Sequence, residues 1–159
     1  MDSELKKLIH AFRNSLVMTA DTHSHACFNM PRWSELNNFP HGCCDLASNF
    51  LAKYLSEHGY DSKVIFFRCN EQVNKHIKAH VILQVGEYYV DLTRNQFEDS
   101  NARITIENKS GQLAGIIRKL QKEGYHSYQE REINLNTTTS LGLHLYNYVR
   151  DIAKKLISC

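Results

Sequence analysis

A chain of 159 residues is long enough for one domain with a sizeable core, since a protein of about 150 residues buries roughly 70% of its unfolded surface. Its 42% hydrophobic and 23% charged residues describe an ordinary globular protein, and a formal charge of +2 is too mild for a nucleic-acid footprint. One domain over residues 1–159, with no nucleic-acid partner, is therefore expected.

The opening MDSELKKLIHAFRNSLVMTA mixes charge throughout and lacks the apolar core of a secretory signal. No run approaches the ~20 apolar residues of a membrane helix, so a cytoplasmic protein with no membrane partner is expected. Five cysteines (Cys27, Cys43, Cys44, Cys69 and Cys159) are an odd number, which speaks for reduced thiols rather than a disulfide framework. The adjacent Cys43 and Cys44 lack the two-residue gap of a zinc knuckle. His23, His25 and Cys27 lack a fourth ligand at usable spacing, so neither a metal nor a cofactor is expected.

In chain order, Leu5, Leu8, Ile9, Phe12, Leu16 and Val17 recur at three and four residues and predict an amphipathic helix over about 3–18. Residues 19–42 hold both prolines and no sustained period. They read as a long loop with a helical turn near Trp33 to Leu36, and loops of this length are commonly functional. From Cys44 to His58, Leu46, Phe50, Leu51, Tyr54 and Leu55 form one stripe and Gly59 stands where a helix would end. Residues 62–69, 79–86 and 87–93 are short and dense in β-branched and aromatic side chains, which predicts strands, with a tight turn at Gly86-Glu87. A further strand at 102–108, a helix over 112–123 and a closing helix over 141–157 follow, while 131–140 is ambiguous. The sum is an α+β protein, an antiparallel sheet packed against helices.

Chemistry concentrates around Cys44. At the first turn of a helix, unpaired amides and the positive end of the dipole stabilise a thiolate, the nucleophilic form of cysteine. The same amides can donate to an oxyanion, and Gly42 lets a substrate approach the backbone. Acyl transfer also needs a base that later serves as an acid, and His80 heads an apolar strand that would fix its imidazole. If the hairpin turns at Gly86-Glu87, facing residues sum to about 173. His80 then opposes position 93, and Asp91 lies diagonally on the same face, within reach of the ring. Cys44 is thus the candidate nucleophile, His80 the base and Asp91 its orienting carboxylate. His41, Asn37, Asn38, Trp33 and Gln96 are candidates for lining the pocket or supplying a second oxyanion donor.

Gly42-Cys43-Cys44, followed by Ala47, Ser48, Leu51 and Gly59-Tyr60, then Ala79-His80-Val81 and Val90-Asp91-Leu92-Thr93, resembles the transglutaminase-like branch of the papain superfamily. Phe39-Pro40 with Thr93, Gln96 and Phe97 looks especially like small uncharacterised bacterial members of that group. The resemblance spans roughly residues 40–97. It departs from the family pattern at Val81, where an aromatic is usual, and in a short interval between histidine and aspartate. It implies a papain/transglutaminase-like fold and a cysteine-dependent peptidase or amidase working through an acyl-enzyme on a peptide, protein or small amide. Transglutaminase, other acyltransferase or deamidase chemistry uses the same three residues, and a non-catalytic binding module would keep the fold alone. A structural reading remains for each residue by itself, because free cysteine is commonly buried and Asp routinely ends a strand.

Overall fold

The computed structural model describes residues 1–22 and 29–158, so the tract His23, His25 and Cys27 lies outside the described residues. Helix α1 (Ser3–Asp21) begins where the Asp2 side chain accepts the Glu4 amide, and it buries Leu5, Leu8, Ile9, Phe12 and Leu16. It runs a turn beyond the expected end because Thr19 is itself buried and its carbonyl accepts the indole N–H of Trp33 at 3.0 Å. A 3₁₀ turn at Trp33–Leu36 precedes α2 (Cys44–Glu57), which ends at the positive-φ Gly59. Strands β1 (Lys63–Arg68), β2 (Ala79–Val85) and β3 (Tyr88–Asp91) follow, then β4 (Thr105–Glu107), α3 (Gln112–Gln121), β5 (Tyr128–Arg131) and α4 (Leu143–Ser158).

The protein is α+β: five antiparallel strands in the order β4-β3-β2-β1-β5, with four α-helices among the described residues. One core joins α1, α2 and α4 to Val64, Val81, Leu83, Val85 and Val90. A second core joins Leu113, Ile116, Ile117 and Leu120 of α3 to Ile65, Phe67, Ile82 and Tyr89. The central strand β2 is covered on both faces, which is why its sequence is a continuous apolar run rather than an alternation.

In the β2–β3 hairpin Leu83 faces Val90, Gln84 faces Tyr89 and Val85 faces Tyr88, the register expected from the sequence. Strand β3 stops at Asp91, two residues short of the expected end, because the Asp91 carboxylate accepts the Thr93 amide at 2.9 Å and turns the chain into a 3₁₀ turn at Arg94–Gln96. The ambiguous stretch borders β5, an exposed edge strand with no apolar alternation. Helix α2 sets the Cys44 end against the sheet through fully buried Phe50, Leu51, Tyr54 and Leu55, each contributing about 1.5–3 kcal/mol by burial. Ser48 adds a specific tie by donating to the Val81 carbonyl at 3.1 Å, linking the cysteine helix to the histidine strand.

Candidate active site

The chain enters α2 through a turn whose geometry demands glycine. Gly42 has φ +73°, a region that costs a residue with a Cβ about 1–2 kcal/mol, although no atom lies within 4 Å of where that Cβ would stand. Cys43 then turns inward. It is 1% exposed, its thiol donates to the Pro40 carbonyl at 3.3 Å, and burial, reinforced by Cys44 and Glu35, pushes it up to about 12. Cys44, first residue of the helix, is partly exposed. Of the adjacent pair, Cys43 is the packed thiol and Cys44 the accessible one.

Among the described residues no side chain caps α2, whereas Asp2 caps α1. The amides of its first turn keep their donors free of side-chain oxygens, and the positive end of the helix lies at the Cys44 sulfur.

His80, second residue of β2, is 1% exposed. Its Nε2–H donates to Asp91 Oδ2 at 2.6 Å. Phe67 on the paired strand meets the ring edge-on with centroids 5.8 Å apart, and Phe97 does the same at 4.9 Å, so the imidazole is held from two directions. The other nitrogen, Nδ1, is shielded from solvent and has no hydrogen-bond partner among the described residues. With Nε2 committed to Asp91, Nδ1 is the nitrogen left to face the Cys44 thiol, which stands near enough to act on the ring. Burial alone pulls the imidazole down. The Asp91 charge and hydrogen bond, joined by Cys44, outweigh that and push it up to about 9.

Asp91, also 1% exposed, is satisfied on both oxygens. Oδ2 accepts from His80, while Oδ1 accepts the Thr93 amide at 2.9 Å and the Thr93 hydroxyl at 3.3 Å. The Gln96 amide donates to Thr93 Oγ1 at 2.9 Å and so braces the brace. The structure therefore joins His80 to Asp91 and sets Cys44 near enough to act on the imidazole.

Gly42, His41, Asn38 and Asn37 lie in the turn that leads to Cys43, and all four are exposed. One other candidate is corrected: Trp33 is a core residue whose indole N–H is spent on Thr19, so it does not stand as the second oxyanion donor. Gln96, half-buried, gives one hydrogen of its side-chain amide to Thr93 and carries a second on the same nitrogen. Reasoning from the sequence passed over Thr93, Phe67, Phe97 and Ser48 as positioning residues. The Asp-x-Thr spacing is a signal for Thr93, and Ser48 and Phe97 fall among the residues that carry the resemblance, while Phe67 has no signal beyond being apolar. Among the described residues no group of three or more His, Cys, Asp or Glu side chains is placed to hold a metal ion, and no helix is long and apolar enough to cross a membrane.

No family model matches the chain, and no solved structure matches it. It is similar to the uncharacterized protein YuaU of Escherichia coli K12 and its counterpart in strain UTI89, at 30% identity in each case. The match runs over 123 residues, 75% of this chain and 55% of the relative, so the chain spans about half the length of the curated relatives it matches.

Proposed function

We propose that the chain is a cysteine-dependent hydrolase of the papain/transglutaminase-like kind, acting on an amide or ester carbonyl of a peptide, protein or small molecule. One observation carries this reading. A buried imidazole commits Nε2 to a buried carboxylate and, among the described residues, leaves Nδ1 without a hydrogen-bond partner near a partly exposed thiol at a helix start that no described side chain caps. The order of a cysteine-bearing helix, then antiparallel strands carrying His and Asp, supports the papain/transglutaminase-like assignment.

In this mechanism His80 holds the proton of Cys44, and the thiolate forms a bond to the carbonyl carbon as the C=O electron pair moves onto oxygen. First-turn amides of α2 receive that oxyanion. The imidazolium then protonates the leaving nitrogen or oxygen, the bond from carbon to it breaks, and an acyl-enzyme remains. His80 next takes a proton from water, the hydroxide adds to the thioester carbon, and the thiolate departs with the acid released. An amine in place of water gives acyl transfer from the same intermediate.

Alkylation by iodoacetamide between pH 5 and 9, followed by peptide mapping, tests the pair. Cys44 is expected to react about tenfold or more faster at pH 6–7 in the wild type than in His80→Ala. Superimposable profiles in the two proteins would overturn the proposal and favour a binding module.

A further inference from the structure

Arg13 is a buried cation that the mechanism above leaves unused. It lies one turn after Ile9 on α1 and is 3% exposed. Its Nε donates to the Leu92 carbonyl at 3.3 Å, and its guanidinium stands 5.2 Å from the centre of the Phe39 ring. Its two terminal nitrogens make no hydrogen bond, and no carboxylate pairs with it, among the described residues. The other two buried arginines are neutralised: Arg32 by Glu35 and Asp45, Arg94 by Asp99. A buried guanidinium without a counter-charge is costly, so the exception calls for an anion from elsewhere.

Its position says where that anion would come from. Leu92 follows Asp91, and Phe39 opens the turn that delivers Cys43 and Cys44, so Arg13 bridges the two segments that build the candidate site. Arg103 reaches the same place from the β4 side. The β3–β4 ladder ends at the pair Asp91 and Thr105, and exposed Arg103 lies two residues before Thr105, on the segment that enters β4 beside Asp91. The two cations act on each other: burial first, then Arg103, lowers the Arg13 pKa, with Cys43 opposing.

We infer that Arg13 and Arg103 together receive a carboxylate of the substrate attacked by Cys44, making the preferred acyl donor an acidic one. This rests on the function proposed above. A planar guanidinium fork matches a carboxylate in two parallel hydrogen bonds, and the Arg103 charge at the surface would draw the same group in. A side-chain carboxylate and a free C-terminal carboxylate share this chemistry.

Matched thiol reagents separate the possibilities. N-iodoacetylglycine carries a C-terminal carboxylate and N-iodoacetyl-aspartic acid α-amide a side-chain one, and glycinamide and asparagine amide analogues are their neutral twins. Each forms one S–C bond at Cys44 and releases iodide, so the acid-to-amide rate ratio isolates the charge. Relative to glutathione, the wild-type ratio is expected to be about tenfold higher in one pair, which names the source. Arg13→Gln should return the ratio to that of glutathione, and Arg103→Ala should lower it about threefold. A wild-type ratio equal to that of glutathione in both pairs, or one unchanged by Arg13→Gln, overturns the inference. If Arg13→Gln does not fold by circular dichroism, Arg103→Ala at its exposed position decides, and an unchanged ratio there overturns the two-arginine site. Acid preference without any effect of His80→Ala on iodoacetamide labelling would instead mark an anion site with no catalytic pair, so the two failures are distinguishable.

Discussion

His80 and Asp91 are joined by one 2.6 Å hydrogen bond between adjacent antiparallel strands, with their side chains 0% and 1% exposed. A buried pair of this kind is hard to take apart one member at a time. Removing Asp91 leaves the imidazole desolvated without its counter-charge, and removing His80 leaves a buried carboxylate held by Thr93 alone, either of which costs more than the pair contributes against an apolar replacement. Asp91→Ala is accordingly expected to lower unfolding stability by about 3 kcal/mol, read from the urea midpoint. Asp91→Asn keeps the shape but loses the charge. It should depress Cys44 acylation by about 10²–10⁴ with a smaller loss of stability.

The same pair makes stability depend on pH in a stated direction. His80 titrates near 6.5 when unfolded and is pushed up to about 9 in the folded protein, so the native state holds that proton more tightly. Its contribution is complete below about pH 6.5 and is lost as pH rises through about 9, for a total on the order of 3 kcal/mol. Urea midpoints measured from pH 6 to 9.5 should decline in the wild type and stay nearly flat in His80→Gln. Above pH 9 the buried thiol of Cys43 and the half-buried thiol of Cys69, held up at about 12 and about 11, continue the decline in both proteins.

Cys43 and Cys44 should separate cleanly in a labelling experiment. Mass mapping after brief iodoacetamide treatment at pH 7 is expected to place the adduct on Cys44 and leave Cys43 unmodified, because Cys43 is buried, hydrogen-bonded to Pro40 and protonated. Equal labelling of both would contradict the packing of this turn.

Gly42→Ala tests the turn itself. Space is open around the missing Cβ, so the penalty is conformational and should be about 1–2 kcal/mol in thermal or urea unfolding. Because the strain falls two residues before the sulfur, Cys44 reactivity should drop as well.

Thr93→Val keeps the volume and the backbone amide bond to Asp91 but removes the hydroxyl that links Asp91 to Gln96. A loss of about 1 kcal/mol is expected, with a fall in Cys44 reactivity that Thr93→Ser restores. A structural role alone would move stability without moving that reactivity.

Much of this arrangement was legible in the sequence, for physical reasons particular to each part. The stripe from Leu46 to Leu55 fixed α2 and its start at Cys44, since few other registers bury those side chains together. Gly86 marked the hairpin, and the count of residues from it brought His80 and Asp91 onto neighbouring strands. What stayed hidden depends on tertiary context. Strand β5 is an edge whose Tyr128 to Arg131 side chains are half or fully exposed, so no alternation announces it. Trp33 looked like a free donor because nothing local shows that Thr19, fourteen residues away, takes its N–H. Arg13 falls on the apolar stripe of α1, four residues after Ile9 and next to Phe12, but a single charged residue at a stripe position is ordinarily read as its margin.

The bare start of α2 carries a further consequence. A serine at position 43 would ordinarily stabilise such a helix by about 1 kcal/mol, yet its oxygen would occupy the donors that the proposed reaction assigns to a tetrahedral intermediate. Fold and reaction compete there for one set of N–H groups. Under the proposed function Cys43→Ser should trade a firmer helix terminus for slower reaction at Cys44, whereas Cys43→Asp would bury a charge against the Pro40 carbonyl and should destabilise the fold.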